Sequence, residues 1–185
     1  MELLRLFIAI KLPQDFTKKL INYQIFLNNP IFKLTTSQNL HLTLLFLGDI
    51  PKTQIPNLKH IIQQNIVNFK PAPIIFKTIS YGPYPQVPRL VWLTGTTSES
   101  YNNLKKTISE QITRELSLDK FNDLYDFIPH ITLARLKNNI HQPLPELPHH
   151  DIFNNYSFTP NRIWLEQSIL KKEGPQYIDL EEFNL

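Results

Sequence analysis

The chain has 185 residues, of which 42% are hydrophobic and 11% aromatic, enough for the core of one domain or of two small packed lobes. Its 19 basic and 16 acidic side chains give a net charge of +3, which favours anionic ligands but lacks the dense basic character of a dedicated duplex-binding protein. The chain contains no cysteine, which excludes disulfides, thiolate catalysis and cysteine-based zinc sites.

The amino-terminal stretch lacks the pattern of a targeting segment. It is apolar but short, carries Glu2 and Arg5, and has no basic leader followed by a small-residue cleavage site, so it predicts a strand. No apolar run reaches the roughly 18 residues that a membrane helix needs. We therefore expect a soluble, cytoplasmic, monomeric protein that does not associate with membranes.

The first half of the chain predicts two strands that alternate with two helices. Residues 3–12 form an alternating apolar strand that ends at Pro13, and apolar positions recur at helical spacing over residues 13–28. After an irregular stretch, residues 41–47 predict a buried strand, and residues 52–69 predict a second amphipathic helix.

The second half predicts one helix and several strands. The helix is expected over residues 98–116, with Ser98 as its cap. Residues 138–155 hold three prolines and little periodicity, so they predict a long surface loop. The strands are expected over residues 74–80, 90–96, 128–136, 157–169 and 176–183.

The order of these elements favours an α+β fold with antiparallel or mixed sheets and flanking helices, because it contains no run of alternating βαβ crossovers. A strand, a helix and a second strand containing His-x-Thr occur twice, at residues 3–47 and 90–136. This repeat predicts an internal duplication that gives two pseudo-symmetric lobes with a cleft between them. Since no linker separates the halves, we expect residues 1–185 to form a single bilobal domain.

Two copies of one short motif carry the candidate chemistry. The first motif, residues 41–44, has the sequence His-Leu-Thr-Leu, and the second motif, residues 130–133, has His-Ile-Thr-Leu. Positions i and i+2 of a strand share a face, so the histidine and threonine of each motif point one way and the apolar residues the other. If the two strands lie side by side or across a cleft, two imidazoles and two hydroxyls converge.

That set of groups suits a phosphate ester. An imidazole pair can take a proton from water and give one to a departing alkoxide near neutral pH, which makes His41 and His130 the candidate catalytic residues. The hydroxyls of Thr43 and Thr132 can donate to phosphate oxygens. Neutral imidazoles also bind zinc, but catalytic zinc normally has a third protein ligand, and neither motif has one at ligand spacing. The sequence therefore predicts chemistry without a metal or other cofactor.

Arg135 is the basic residue nearest to a motif. Its odd offset from His130 predicts that it lies on the opposite strand face, unless the strand ends or bulges there. Other candidate ligands for phosphate are Arg5 and Arg89. Candidates for stacking on a base are Tyr81, Tyr84 and Phe127. The remaining histidines are expected at the surface, namely His60, His141, His149 and His150.

With these residues, the sequence resembles the 2H phosphoesterase superfamily and, within it, the RNA 2′,3′-cyclic phosphodiesterases, historically called 2′-5′ RNA ligases. The similar stretches follow one another along nearly the whole chain, at residues 5–10, 39–48, 88–93, 129–135 and 168–177. The resemblance implies a bilobal fold and metal-independent hydrolysis of an RNA 2′,3′-cyclic phosphate to a 2′-phosphomonoester.

The resemblance also implies a role for each site residue. His41 would be the general acid that protonates the leaving O3′, and His130 would be the general base for water. Thr43 and Thr132 would hold phosphate oxygens, and Arg135 matches a basic residue that frequently follows the second motif. Relatives often have an arginine shortly before that motif, where this chain has residues 124–127, Leu-Tyr-Asp-Phe.

Three interpretations remain open at this point. The leading one is a phosphodiesterase for RNA ends, which could also form a 2′-5′ bond if a 5′-hydroxyl takes the place of water. The second is a phosphodiesterase for a small cyclic nucleotide. The third is a nucleotide-binding or RNA-end-binding module without turnover, although binding alone does not require two titratable imidazoles.

Overall fold

The computed structural model describes residues 2–84, 86–116, 125–137, 143–148, 153 and 156–185. Within them lie three α-helices, α1 (Gln14–Gln24), α2 (Ile55–Ile66) and α3 (Ser100–Leu116). The strands of the first half are β1 (Leu3–Lys11), β2 (Phe32–Leu34), β3 (His41–Pro51) and β4 (Ile74–Gly82). Those of the second half are β5 (Leu90–Thr96), β6 (His130–Leu136), β7 (Ser157–Phe158), β8 (Arg162–Lys171) and β9 (Gly174–Asn184).

The three helices predicted from periodicity are confirmed, each somewhat shorter than expected. Helix α1 ends at Gln24, and residues 25–27 continue with bonds of the tighter i to i−3 type, such as Phe26 N–H to Tyr23 O at 2.9 Å. Helix α2 is preceded by a short 3₁₀ turn at Lys52–Gln54. In α3, the Ser98 hydroxyl accepts a bond from the Ser100 N–H at 3.2 Å, which confirms its predicted capping role.

The predicted strands are found with two differences. The expected strand at 157–169 is divided into β7 and β8, because Pro160 lies between them and has no N–H for a ladder. Strand β2, in a stretch predicted to be irregular, has three residues and exists through its pairing with β6. Much of the predicted loop at 138–155, including the three histidines there, lies outside the described residues.

One antiparallel sheet of nine strands runs through both halves of the chain, in the order β7-β4-β5-β6-β3-β1-β8-β9, with β2 beside β6. The two motif-bearing strands are neighbours at its centre, where Leu42 pairs with Ile131. The α+β class and antiparallel pairing are therefore confirmed. The division into two lobes, and the single bilobal domain, remain predictions.

The register around the two motifs repeats as the internal duplication predicts. On one side Lys11 of β1 pairs with His41, and on the other Thr94 of β5 pairs with His130. The threonines follow the same scheme, since Ala9 pairs with Thr43 as Trp92 pairs with Thr132. The two halves thus present their motifs from equivalent backbone positions.

The core lies on the face of the sheet opposite the histidines. Leu42, Leu44, Ile131 and Leu133 are at most 2% exposed, and they join one apolar cluster with the buried stripes of the three helices. These stripes consist of Phe16, Leu20 and Tyr23 in α1, Leu58, Ile61, Ile62 and Ile66 in α2, and Tyr101, Leu104, Ile108, Ile112 and Leu116 in α3. Among the described helices, none is long and apolar enough to cross a membrane.

Candidate active site

The two motifs bring their polar side chains together on one face of the sheet. His41 and Thr43 begin β3, His130 and Thr132 begin β6, and the two strands are adjacent. All four side chains are partly buried, whereas the residue between each pair is fully buried. The prediction from strand alternation, that both imidazoles and both hydroxyls face the same side, is therefore confirmed.

Each imidazole is oriented by a backbone carbonyl two residues earlier in the chain. His41 Nδ1 lies 2.8 Å from Asn39 O, and His130 Nδ1 lies 2.8 Å from Ile128 O. A carbonyl can only accept, so Nδ1 carries the hydrogen in both rings and Nε2 is left as the proton-accepting atom of the neutral form. Nε2 of His41 accepts from the Thr43 hydroxyl at 3.0 Å.

Aromatic side chains on the same face restrict the two rings. His41 packs between Phe7 and Tyr177, with ring centroids 5.2 and 5.0 Å away, and the Tyr177 ring is nearly perpendicular to the imidazole at 85°. His130 lies against Trp92, at 4.2 Å between centroids and 33° between planes. The carbonyl contact and these packed rings together fix the direction in which each Nε2 points.

Arg135 lies on the site face, because the strand contains a β-bulge, the exception under which the sequence allowed this placement. The pairing of β5 with β6 passes from Val91 opposite Ala134 to Trp92 opposite Thr132, which leaves Leu133 as an extra residue in a β-bulge. Leu133 and Ala134 are both fully buried, and the alternation restarts with Arg135 on the side of the histidine. There its positive charge acts on the Tyr177 hydroxyl and opposes the effect of burial, which raises the pKa of that hydroxyl.

Comparison with known proteins identifies a family whose model covers both motifs. The model of the 2′-5′ RNA ligase superfamily matches residues 29–168. The chain belongs to this superfamily. That confirms the resemblance drawn from the paired motifs, because the matched region contains both of them.

Relatives in the superfamily are similar over most of their length. The RNA 2′,3′-cyclic phosphodiesterase of Aquifex aeolicus is 32% identical over 83% of this chain and 81% of its own. The enzyme of the same name from Thermus thermophilus is 30% identical over 98% of this chain and 90% of its own. The crystal structure of TT0787 from Thermus thermophilus superposes with a TM-score of 0.82 at 27% identity, covering 98% and 97% of the two chains. Escherichia coli LigT, at 24% identity and a TM-score of 0.74, shares the fold over 100% and 99%.

In this member of the superfamily, burial favours the neutral form of both imidazoles in the unliganded protein. Burial lowers the pKa of His41 from 6.5 to about 4, while the Asn39 carbonyl opposes this shift. The positive charges of Arg135 and Lys11, and that of His130 whenever it is protonated, lower the pKa further. Burial also lowers the pKa of His130. An anion placed between the rings would oppose these effects, since its negative charge favours the protonated form of each imidazole.

A second polar feature lies next to the first motif. A cavity of about 170 Å³ opens beside His41 and has Lys11, Ser37, Gln38 and Glu166 in its lining. The described residues do not bring together three or more histidine, aspartate or glutamate side chains that could hold a metal ion.

The other sequence candidates have mixed outcomes. Arg5 lies on the site face, with its guanidinium 5.0 Å above the Phe46 ring. Phe127, one of the candidates for base stacking, is a core residue at 6% exposure, the commoner placement for an aromatic residue near a strand end. Tyr81 is partly buried and donates to Pro145 O at 2.8 Å. Arg89 and Tyr84 have exposed side chains, as a contact with a ligand requires. His60 is exposed, as predicted.

Several residues of the site face were not singled out from the sequence as site residues. Glu166 could have been noticed in the sequence, because its carboxylate directly follows the apolar residues 163–165 within a predicted strand. The signal for Phe7 was its position in β1, since alternation places it on the face opposite the core. Tyr177 and Trp92 contact the imidazoles from strands that are distant in the sequence. No local sequence pattern indicates that role.

Proposed function

We propose that this protein hydrolyses the 2′,3′-cyclic phosphate at an RNA end to a 2′-phosphomonoester, by acid–base catalysis that needs no metal. The observation that carries the proposal is the pair of imidazoles on adjacent strands, each donating from Nδ1 to a carbonyl so that Nε2 is the atom that accepts and gives the proton. The relatives named RNA 2′,3′-cyclic phosphodiesterase support the choice of substrate.

The substrate phosphate would lie over the centre of the sheet. Thr43, Thr132 and Arg135 surround that position on the site face, and they supply two hydroxyl donors and one permanent cation for the phosphate oxygens. Its negative charge raises the pKa of both imidazoles, and one of them binds a proton as the substrate enters.

The reaction then needs one proton removed and one delivered. His130 Nε2 takes a proton from water as the water oxygen bonds to phosphorus, and the bond from phosphorus to O3′ breaks. His41 Nε2 gives its proton to O3′, which leaves a free 3′-hydroxyl and a 2′-phosphate. A 5′-hydroxyl in place of water gives a 2′-5′ linkage by the same steps, so the enzyme is also a reversible 2′-5′ ligase.

Product analysis with an oligonucleotide that ends in a 2′,3′-cyclic phosphate tests this proposal directly. We expect a 2′-phosphate end, formed equally well in the presence of a metal chelator. His41→Ala and His130→Ala should each lower kcat by about two to four orders of magnitude and leave the unfolding transition unchanged. Full activity of either variant would refute the proposed roles, and a 3′-phosphate product would show that the acid and base act on the other ester bond.

The same assay separates the two alternative functions. A much higher kcat/KM for a cyclic mononucleotide than for the oligonucleotide would indicate a small-molecule phosphodiesterase. Tight binding without product between about pH 5 and pH 9 would indicate a binding module.

A further inference from the structure

Strand β6 changes its neighbour along one edge, and the change occurs at the bulge. Ile131 pairs with Leu42 of β3, whereas the segment from Ala134 onward pairs with β2. Leu133 lies between these two pairings and is the extra residue in the ladder with β5. Its backbone carbonyl therefore needs a partner that does not come from a regular strand.

A buried amide from the first helix supplies that partner. Gln24, at the end of α1, is only 6% exposed, and its Nε2 donates to Leu133 O at 2.7 Å and to Thr35 O at 2.8 Å. The Thr35 N–H also donates to Leu133 O at 2.9 Å. Both hydrogens of the amide are thus used to join the residue that follows β2 to the bulge of β6.

The bulge determines on which face Arg135 lies. A regular strand from Thr132 onward would turn Arg135 toward the core, because its offset from the histidine is odd. The bulge carbonyl is in a buried region, where an unpaired carbonyl is strongly disfavoured. Replacing Gln24 by a residue that has no amide would leave this carbonyl with one hydrogen-bond donor fewer. The replacement would also weaken the connection between β2 and β6.

We propose that Gln24 is a positioning residue, which holds the bulge at Leu133 and thereby keeps Arg135 on the site face. The inference rests on the proposed function in one respect, namely that Arg135 contacts the substrate phosphate. Gln24 itself lies on the core side of the sheet, in the helix layer, and acts on the substrate only through Arg135.

The test compares Gln24→Met with Arg135→Ala and with the double variant, because methionine keeps the length of the side chain and removes both donors. We expect Gln24→Met to lower kcat/KM for the cyclic-phosphate oligonucleotide by about tenfold in the native background and by less than about twofold when Arg135 is already alanine. Tyr23→Phe is the control, since it removes a partly buried hydrogen bond of the same helix, from the Tyr23 hydroxyl to Pro148 O. Tyr23→Phe should lower kcat/KM by the same factor in both backgrounds, or leave it unchanged in both.

A second measurement does not depend on activity. Arg135 is one of the cations that lower the pKa of His41, so its departure from the site should raise that pKa. In an NMR titration of the unliganded protein, Gln24→Met should raise the His41 pKa in the same direction as Arg135→Ala does, with no further rise in the double variant. If Gln24→Met does not fold, Gln24→Asn, which is one methylene too short to reach both carbonyls, takes its place.

The possible results separate the two proposals. An unchanged His41 pKa in the folded Gln24 variant, or an equal loss of activity with and without Arg135, would overturn the positioning role. If Arg135→Ala retains full kcat/KM, the proposed phosphate contact is wrong, yet the titration still decides whether Gln24 positions Arg135.

Discussion

Glu166 provides a quantitative prediction about the site face. Its side chain is only 4% exposed, and the nearest cation, the Lys11 ammonium, is 3.9 Å away. Burial raises the pKa of this carboxyl from 4.5 to about 7, although the charge of Lys11 works in the opposite direction. At about pH 6, the folded protein therefore holds a proton on Glu166 that the unfolded chain has already lost.

The pH dependence of stability follows from this difference. Below about pH 4.5 the carboxyl is protonated in both states, and above about pH 7 it is ionised in both states. Between these values the folded state binds more protons, so the free energy of unfolding decreases as the pH rises. The two pKa values differ by about 2.5, and at about 1.36 kcal/mol per unit the full decrease is about 3 kcal/mol.

The perturbation is Glu166→Gln, which keeps the shape of the protonated acid and cannot ionise. The free energy of unfolding of the variant, relative to that of the native protein, should be about 3 kcal/mol higher at pH 8 than at pH 4. Urea unfolding of both proteins at both pH values measures this double difference, in which the contributions of other carboxyls cancel. Glu173→Gln, in the exposed turn between β8 and β9, is the control for the loss of one carboxyl. A double difference below about 0.5 kcal/mol for Glu166→Gln would refute the assigned effect of burial.

Three other substitutions on the site face have defined expected outcomes. Lys11→Met should raise the pKa of His41 in an NMR titration, because it removes one of the cations that lower it, and an unchanged value would contradict this account. Gly82→Ala would place a methyl group 2.6 Å from Cε3 of Trp92 and displace the indole that packs on the second motif's imidazole, so kcat should fall by about tenfold or more. Thr43→Val should lower kcat/KM by about tenfold to a hundredfold while Thr43→Ser retains most of it, and equal activity of the two variants would exclude a hydroxyl contact.

The strands that carry the motifs could be predicted from the sequence because their signal is local. Apolar alternation in residues 41–44 and 130–133 is enough to place each histidine and threonine on one face. The bulge at Leu133 could not be predicted in this way, since an extra residue is defined only relative to the partner strand. The same holds for β2, whose three residues form a strand because β6 offers an edge to them.

Glu166 illustrates a different limit. Its burial depends on where β8 lies in the sheet, beside β1 and opposite Phe7, and this neighbour is more than 150 positions away in the chain. Local periodicity predicts that some face of the strand is buried, but it does not predict that the carboxylate lies beside the first motif. The polar lining of the cavity next to His41 could therefore be recognised only in the tertiary structure.

The repeat of the motif explains the symmetry of the site, and the residues outside the repeat explain why its two halves can differ in role. A bulge at Leu44 matches the one at Leu133, so Phe46 occupies the position in β3 that Arg135 occupies in β6. One half thus adds a permanent positive charge at this position, and the other adds an aromatic ring beneath the guanidinium of Arg5.

The strands flanking the motifs carry a second difference of the same kind. The partner of the first histidine is Lys11, whereas the partner of the second is the uncharged Thr94. Two imidazoles on equivalent backbone positions therefore experience different charges, and a different charge gives each a different affinity for a proton. Because acid and base must differ in this property when substrate is bound, the roles proposed for His41 and His130 depend on the residues that differ between the two motif-bearing halves.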